Sequence, residues 1–130
     1  MVHHTPMLPF SVQFKAGAPT YPQVVYAVKK AIIAGALRPG DKFPSVRAIS
    51  QELKINPNTA QKVVAALADE GLLTIQPGIG TTVSDAPAAS RDEVRSLLGG
   101  EVERLVVEAK RLRLEADDLV AAIHQHWDRL

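Results

Sequence analysis

The stretch "INPNTAQKV", Ile55 to Val63, decides how this chain folds because it contains a complete helix start. Pro57 has no N–H and its φ is already helical, so the first position of a helix accommodates it at no cost. Asn56 is then the N-cap, whose side-chain oxygen can accept from the free N–H of Asn58 or Thr59. We therefore predict a helix whose polar N-terminal end faces outward, and helix starts of this kind bind anions.

The residues after this start give the helix a single apolar face. Ala60, Val63, Val64 and Leu67 recur at the spacing of an amphipathic helix. Gly71 then ends the helix, since glycine adopts the left-handed conformation of a C-terminal cap.

A second helix ends just before this one. Ser45 caps its start, and Val46, Ile49 and Leu53 form its buried stripe. Only residues 54 to 56 connect the two helices. Such a short link forces a steep crossing, as in a helix-turn-helix.

Two further elements are predicted upstream. "YPQVVYAVKKAIIAGAL" is predicted to be an amphipathic helix that ends at Gly35. Its apolar residues Val25, Val28 and Ile32 lie on one face. "PFSVQFKAG" alternates Phe10, Val12 and Phe14, which predicts a short strand. "RPGDKFPS", between the first two helices, is read as a turn-rich loop.

A hairpin is predicted after Gly71. "LLTIQPGIGTTV" contains two β-prone runs that flank a Pro-Gly-Ile-Gly turn. Gly78 and Gly80 are not half of a dinucleotide fingerprint, because no third glycine follows and no helix begins there. Three helices followed by a hairpin make a winged helix-turn-helix, so the fold class is mainly α with a small β wing.

The last segment predicts a two-helix arm with unburied apolar stripes. One stripe has alternating steps of four and three, which describe a seam for a partner helix: Leu98, Val102, Leu105, Ala109 and Leu112. After a break near Arg113 and Leu114, a second stripe follows: Leu119, Ile123 and Trp127. Two helices of this size cannot bury both stripes alone. We expect them to form a homodimer; the alternative is that they pack on their own winged helix.

The charge distribution divides the chain. Its net charge is only +1, but residues 1 to 85 carry eight Lys or Arg against five Asp or Glu, and residues 86 to 130 carry seven against nine. This asymmetry suggests a basic binding module joined to something else. We predict a leader with a short strand over 1–18, a winged-helix DNA-binding domain over 19–85 and a helical dimerisation segment over 86–130.

Other classes of protein find little support in the sequence. With no cysteine, no disulfide framework or thiolate metal site can form. No apolar run approaches the ~18 residues that span a bilayer, and no signal-peptide pattern is present, so we expect a cytoplasmic protein without membrane contact. His3 and His4 lie in the leader, and His124 and His126 point to different helix faces, so no metal is predicted.

Catalytic motifs are also missing from the sequence. It has no nucleophile elbow, phosphate loop, HExxH or paired carboxylates. We therefore expect no enzyme activity and no cofactor. Glu115, Asp117 and Asp118 are interpreted as a helix start with a solvated face.

The segment from Pro19 to Val83 resembles the DNA-binding domain of the GntR family of bacterial transcription regulators. The blocks "LRPGDKFPSVRAIS", "NPNTAQKVVAALADEGLL" and "GIGTTV" occur in the family's order and spacing. The "NPNT" opening and the short C-terminal part resemble the YtrA-type subgroup. The resemblance implies that the third helix enters the major groove, that the wing tip lies along the minor groove, and that Arg47 reaches a base edge.

Physical chemistry assigns roles to the outward side chains. Arg47 faces away from the stripe of its helix and can pair bidentately with guanine, as Asn58 can with adenine. Gln61 is exposed by the same reasoning, and Lys62 suits a phosphate. Thr59 either bonds a phosphate or caps the helix, and Gly78 lets the wing backbone approach DNA closely. The predicted DNA-binding set is Ser45, Arg47, Asn56, Asn58, Thr59, Gln61, Lys62, Gly78 and Gly80.

These observations predict a sequence-specific transcription regulator, a homodimeric repressor on an inverted-repeat operator in double-stranded DNA. The alternative is a winged-helix protein-interaction module. About 45 residues after the wing cannot enclose the several-hundred-Å³ pocket of a small-molecule site. Any small-molecule effector should therefore bind at the subunit interface, or between arm and winged helix.

Overall fold

The helix-turn-helix forms at the residues that its N-caps and apolar stripes predict. The computed structural model describes residues 8–85 and 89–130, and its contacts divide the chain into two compact units, Met1–Pro87 and Ala88–Leu130. The helices of the first unit are α1 Thr20–Ile33, α2 Val46–Leu53 and α3 Pro57–Asp69. Its strands are β1 Lys42–Phe43, β2 Leu73–Gln76 and β3 Gly80–Val83. They pair antiparallel in the order β1-β3-β2, so the predicted winged helix is confirmed.

The core of the first unit lies where the three helices and the sheet meet. Val28 of α1, Ile49 of α2 and Leu67 of α3 are fully buried, and Leu73 and Val83 close the core from the sheet. Among the described residues no polar or charged residue is buried. The unit is therefore held together by apolar burial, worth about 25 cal/mol per Å².

The buried face of α1 differs slightly from the predicted one. Val24, Val28 and Ala31 are its buried residues, whereas Val25 and Ile32 are only partly buried. On the exposed side of α1, Lys29 Nζ lies 2.7 Å from Glu70 Oε1, just after α3. The stripe of α1 is centred on Val24 and Val28 because α1 packs chiefly on α3.

The strand predicted for Phe10 to Phe14 is wrong. Phe10 is buried and stacks on Phe43 with 5.9 Å between ring centroids, while Phe14 is 43% exposed and the segment pairs with no strand. The Gln23 side chain instead holds the turn that follows, since its Oε1 accepts from Lys15 N at 2.8 Å and its Nε2 donates to Ala18 O. The alternation thus reflects packing of Phe10 and Val12 on the core, not strand pairing.

The loop predicted for "RPGDKFPS" contains a strand that the sequence did not reveal. In β1, Lys42 pairs with Thr82 and Phe43 with Thr81 of β3. The backbone continues the ladder just before β1, where Gly40 N donates to Val83 O at 2.8 Å. Two residues are too few to produce a recognisable alternation in the sequence.

The second unit is a helical arm. It consists of α4 Arg91–Arg95, a π-helical segment Ser96–Glu101, α5 Val102–Arg111 and α6 Ala116–Arg129. Ser90 and Glu93 form a capping box before α4. The predicted break is confirmed: Arg113 has φ of 60°, and Leu114 N donates to Ala109 O at 2.9 Å. No helix of the described ranges is long and apolar enough to cross a membrane.

The two phenylalanines of the N-terminal segment provide a matched test of its packing. Phe10→Ala should lower the free energy of unfolding by about 3 kcal/mol, because it empties a buried site against Phe43. Phe14→Ala, the same change at an exposed side chain, should cost less than about 1 kcal/mol. Urea denaturation followed by circular dichroism measures both, and equal losses would contradict the packing described.

Candidate nucleic-acid interface

The turn between α2 and α3 is fixed by contacts of its own residues. Lys54 caps α2 in the left-handed conformation, with φ of 55°. Ser50 Oγ donates to Ile55 O at 2.7 Å, and Ile55 N donates to Ser50 O at 3.1 Å. These bonds set the direction in which α3 leaves the turn, and thereby the surface that its N-terminal end presents.

Both predicted N-caps are formed. Ser45 Oγ accepts from Ala48 N at 3.1 Å, and Asn56 Oδ1 accepts from Asn58 N at 2.8 Å. Capping uses an acceptor of each side chain. The Ser45 hydroxyl hydrogen and the Asn56 amide hydrogens are chemically able to donate to an external acceptor such as a phosphate oxygen.

The polar side chains predicted to face outward do so. Arg47, Asn58, Gln61 and Lys62 are exposed, on the helices whose opposite faces are buried in the core. Within residues 8–85 and 89–130, no ion pair involves Arg47 or Lys62. Both cations are therefore available to an external anion.

Thr59 and Lys62 border an open groove that α3 forms with the beginning of α1. The groove has a volume of about 610 Å³, and Thr20 and Tyr21 form its other wall. Pro19 occupies the N-cap position of α1 and makes no side-chain cap. The free N–H groups and positive dipole end of a 14-residue helix thus lie near Lys62, an arrangement that suits an anion.

Sequence reasoning missed Thr20 and Tyr21 at this groove. The available signal was Pro19 directly before the helix, because a proline side chain cannot satisfy the first-turn N–H groups. That signal gives no information about which helix lies opposite, which depends on the packing of α1 on α3.

The wing presents an uncharged tip. Gly78 has φ of 79° and Gly80 has φ of 130°, conformations that side-chain-bearing residues rarely adopt. Ile79 between them is 80% exposed, and no charged residue occurs from Gly71 to Ser84. Since nothing lies within 4 Å of a Cβ added at either glycine, backbone conformation rather than crowding accounts for them.

The residues predicted to mediate dimerisation all lie in the arm. Most are well exposed, from 40% for Val102 to 79% for Trp127. The exposed members are Leu98, Val102, Leu105, Leu112, Ile123 and Trp127, and Leu119 is half-buried. Ala109 differs, because it is only 5% exposed and has little surface left for a partner.

The described part of the structure adds no support for a metal site or a catalytic site. No group of three or more His, Asp or Glu residues in the described part of the chain could hold a metal ion. His3 and His4 lie outside the described residues.

A family comparison agrees with this geometry. The family described as "Bacterial regulatory proteins, gntR family" matches residues 20–83, from the first residue of α1 to the last residue of the wing. The chain belongs to the GntR family. Members of this family are transcriptional regulators with a winged-helix DNA-binding domain.

Two relatives from Bacillus subtilis (strain 168) resemble the chain over most of their lengths. The uncharacterized HTH-type transcriptional regulator YhcF is 32% identical, covering 85% of this chain and 92% of YhcF. The HTH-type transcriptional repressor YtrA is 28% identical, covering 81% of this chain and 82% of YtrA. These likenesses group the chain with the YtrA-like members of the GntR family.

A solved structure of a DNA-bound relative matches part of the chain. The AraR DNA-binding domain in complex with operator ORX1 is 29% identical, with a TM-score of 0.54. The match covers 63% of this chain and all of that chain.

Asn56 allows the capping contact to be tested apart from any contact with DNA. Asn56→Ala should lower the free energy of unfolding by about 1 kcal/mol, because an N–H at the start of α3 loses its acceptor. Asn56→Asp keeps an acceptor at the same place and should leave stability unchanged within about 0.5 kcal/mol. Thermal unfolding distinguishes them, and equal destabilisation would contradict a capping role.

Proposed function

We propose that this GntR-family protein is a homodimeric repressor that binds an inverted-repeat operator. The observation that carries the proposal is the exposed polar surface of the helix-turn-helix, where Arg47 and Lys62 form no ion pair with any other described residue. A surface used only to contact another protein would not require two exposed cations, one of them, Lys62, near the uncapped start of α1.

Base reading is assigned to the outward side chains of α2 and α3. Arg47 can bond guanine O6 and N7 in the major groove, and Asn58 or Gln61 can bond adenine N6 and N7. Because all three side chains are exposed, they can reach base edges without unpacking the core.

Phosphate contacts are assigned to the groove between α1 and α3 and to the caps. Lys62 and Thr59 border this groove, and the start of α1 forms its other wall. The free donor hydrogens of Ser45 and Asn56 would add neutral contacts to the backbone. Gly78 and Gly80 let an uncharged wing tip approach the duplex through its backbone. Such contacts position the protein, and the base contacts specify the sequence.

Dimerisation is assigned to the arm. One winged helix reads only a few base pairs, so tight and specific binding requires two copies, and a two-fold dimer meets an inverted repeat. The exposed stripe Leu98, Val102, Leu105 and Leu112 supplies apolar surface for a second copy. The relative AraR binds an operator through its DNA-binding domain, which supports the same target for this chain.

Repression follows most simply from occlusion of a promoter, and YtrA is a named repressor. A small-molecule effector, if the protein responds to one, would bind at the subunit interface, because one arm of about 45 residues is too small to enclose such a molecule.

Substitution of two cations should separate base reading from phosphate binding. On an operator selected from random duplexes, Arg47→Ala should lose about 1–3 kcal/mol of binding free energy and relax the preference at one position per half-site. Lys62→Ala should weaken binding to all sequences alike. It should also reduce the slope of the logarithm of the binding constant against the logarithm of salt concentration by about 1. Fluorescence anisotropy at several salt concentrations measures both effects.

The control for this experiment is Arg95→Ala, which removes the same charge from the arm. It should leave both sequence preference and salt slope unchanged. Unaltered discrimination by Arg47→Ala would contradict base reading by that residue. Failure of the parent protein to enrich any sequence would favour the protein-interaction alternative.

Loss of the arm seam should abolish tight operator binding while the winged helix stays folded. Among the described residues, the core of the first unit is built from residues 8 to 83, so a chain cut after Asp85 should fold but bind at near non-specific strength. Leu105→Glu should act similarly by placing unpaired charge in the seam. Sedimentation at micromolar protein and footprinting measure both. Val107→Glu is the matched control on the same helix and should leave the dimer intact.

A monomeric parent chain, or a truncated chain that protects a palindrome as tightly as the parent, would contradict this assignment of the arm.

A further inference from the structure

The π-helical segment Ser96–Glu101 interrupts the arm without ending its helix. The residues on either side have ordinary helical backbone, with φ and ψ of −63° and −40° at Arg95 and −66° and −39° at Val102. In a π-helix the hydrogen bond spans five residues, so a single π-helical turn accommodates one residue more than an α-helical turn. Gly99 and Gly100, which favour a regular α-helix least after proline, lie within it.

A straight α-helix would place charge in the seam at this point. Continuing the alternating steps upstream from Leu98 by three and then four residues leads to Arg95 and Arg91. The apolar surface would then end at Leu98, and two arginines would face the partner helix.

The extra residue changes which side chains face the seam. Each α-helical residue turns the chain by about 100°, so one added residue rotates everything upstream by about that angle. Val94 thereby takes the direction that Arg95 would have in a straight helix, and Leu97 turns toward the direction of Leu98.

The exposure and pairing of these residues agree with this rotation. Arg95 Nη1 lies 3.8 Å from Asp92 Oδ1, and these side chains are 79% and 93% exposed, as expected on a solvent-facing side. Val94 and Leu97 are 45% and 57% exposed, so their surfaces are free for a partner.

We propose that the π-helical segment sets the phase of the arm, meaning the direction about the helix axis in which the upstream side chains point. It brings Val94 and Leu97 into the dimer seam and turns Arg95 away from it. The surface that a second copy of this chain covers then extends from Val94 to Leu112. This inference rests on the dimer in the proposed function and adds to it the residues that complete the interface.

A second copy is the partner that fits this surface. The stripe itself contains no charged residue. Two ion pairs beside it lie within the arm, Arg104 Nη1 with Glu101 Oε1 at 3.3 Å and Arg111 Nη2 with Glu108 Oε2 at 2.9 Å. An identical arm offers the same apolar spacing, as a two-fold interface requires. The added residues are also continuous with the seam from Leu98 to Leu112.

Sedimentation equilibrium of the full chain tests the extended seam. Val94→Glu should raise the dimer Kd about tenfold or more, because it places an unpaired carboxylate between apolar side chains. Val107→Glu, an identical change at another exposed valine of the arm, should leave the Kd unchanged. Equal effects of both substitutions would overturn the inference.

Deletion of Gly99 tests the phase itself. Removing one residue converts the π-helical turn to an α-helical one but leaves the residues upstream in the same direction, so Val94 should stay in the seam and the Kd should not change. Gly99→Ala combined with Gly100→Ala keeps every residue while favouring a regular α-helix, which turns Arg95 into the seam and should raise the Kd about tenfold or more. Arg95→Leu should restore the dimer in the double alanine variant, yet leave the parent Kd unchanged. A merely structural role for the two glycines would not produce this rescue, and circular dichroism checks that the helix content is retained.

The outcomes separate this inference from the proposed function. A parent chain that sediments as a monomer contradicts the dimer itself. A parent dimer that Leu105→Glu disrupts but Val94→Glu does not would leave the proposed function standing and overturn the extended seam. A raised Kd in the Gly99 deletion variant, or failure of Arg95→Leu to rescue the double alanine variant with helix content retained, would overturn the phase argument.

Discussion

The three-residue link between α2 and α3 is the constraint on which the rest of the winged helix depends. Ser50 bonds to Ile55 through both its side chain and its backbone, and Lys54 turns the chain in the left-handed conformation. The crossing that results buries Ile49 of α2 with the apolar face of α3. It also leaves Arg47 and Asn58 exposed, one near the start of each helix. A longer link would allow the same helices without fixing the relation between these side chains.

An all-apolar core leaves the polar side chains of the helix-turn-helix free for recognition. Among the described residues, no buried side-chain nitrogen or oxygen lacks a hydrogen-bond partner. The caps at Ser45 and Asn56 use only an acceptor each, so one residue can both start a helix and donate outward. Stability and binding therefore use different atoms of the same elements, and substitutions at the surface can alter one with little effect on the other.

The arm differs from the first unit, because most of its large apolar side chains are exposed. Val94, Leu105 and Trp127 are each at least 44% exposed, while Ala109 is buried and is the one such hydrophobic residue described between residues 89 and 130. Contiguous exposed apolar surface marks an interaction site in soluble proteins. In the function proposed here, association through this surface would supply the second winged helix that an inverted repeat requires, which would make recognition depend on protein concentration.

The sequence by itself determined the elements whose causes are local. The Ser45 and Asn56 caps, the stripe of α3, the glycines of the wing and the break near Arg113 are set by neighbouring residues, and all appear where predicted. Tertiary structure alone decided the features that depend on distant partners. Phe10 packs on Phe43 instead of forming a strand, and Lys42–Phe43 becomes a strand because β3 lies beside it. Tyr21 and Lys62 line the same groove because α1 packs on α3. The π-helical turn of the arm is local, but the regular spacing of leucines and valines did not reveal that Gly99 and Gly100 lie in a wider turn. Caps and periodicity act over one or two helical turns, whereas packing is decided by whichever surfaces the whole chain brings together.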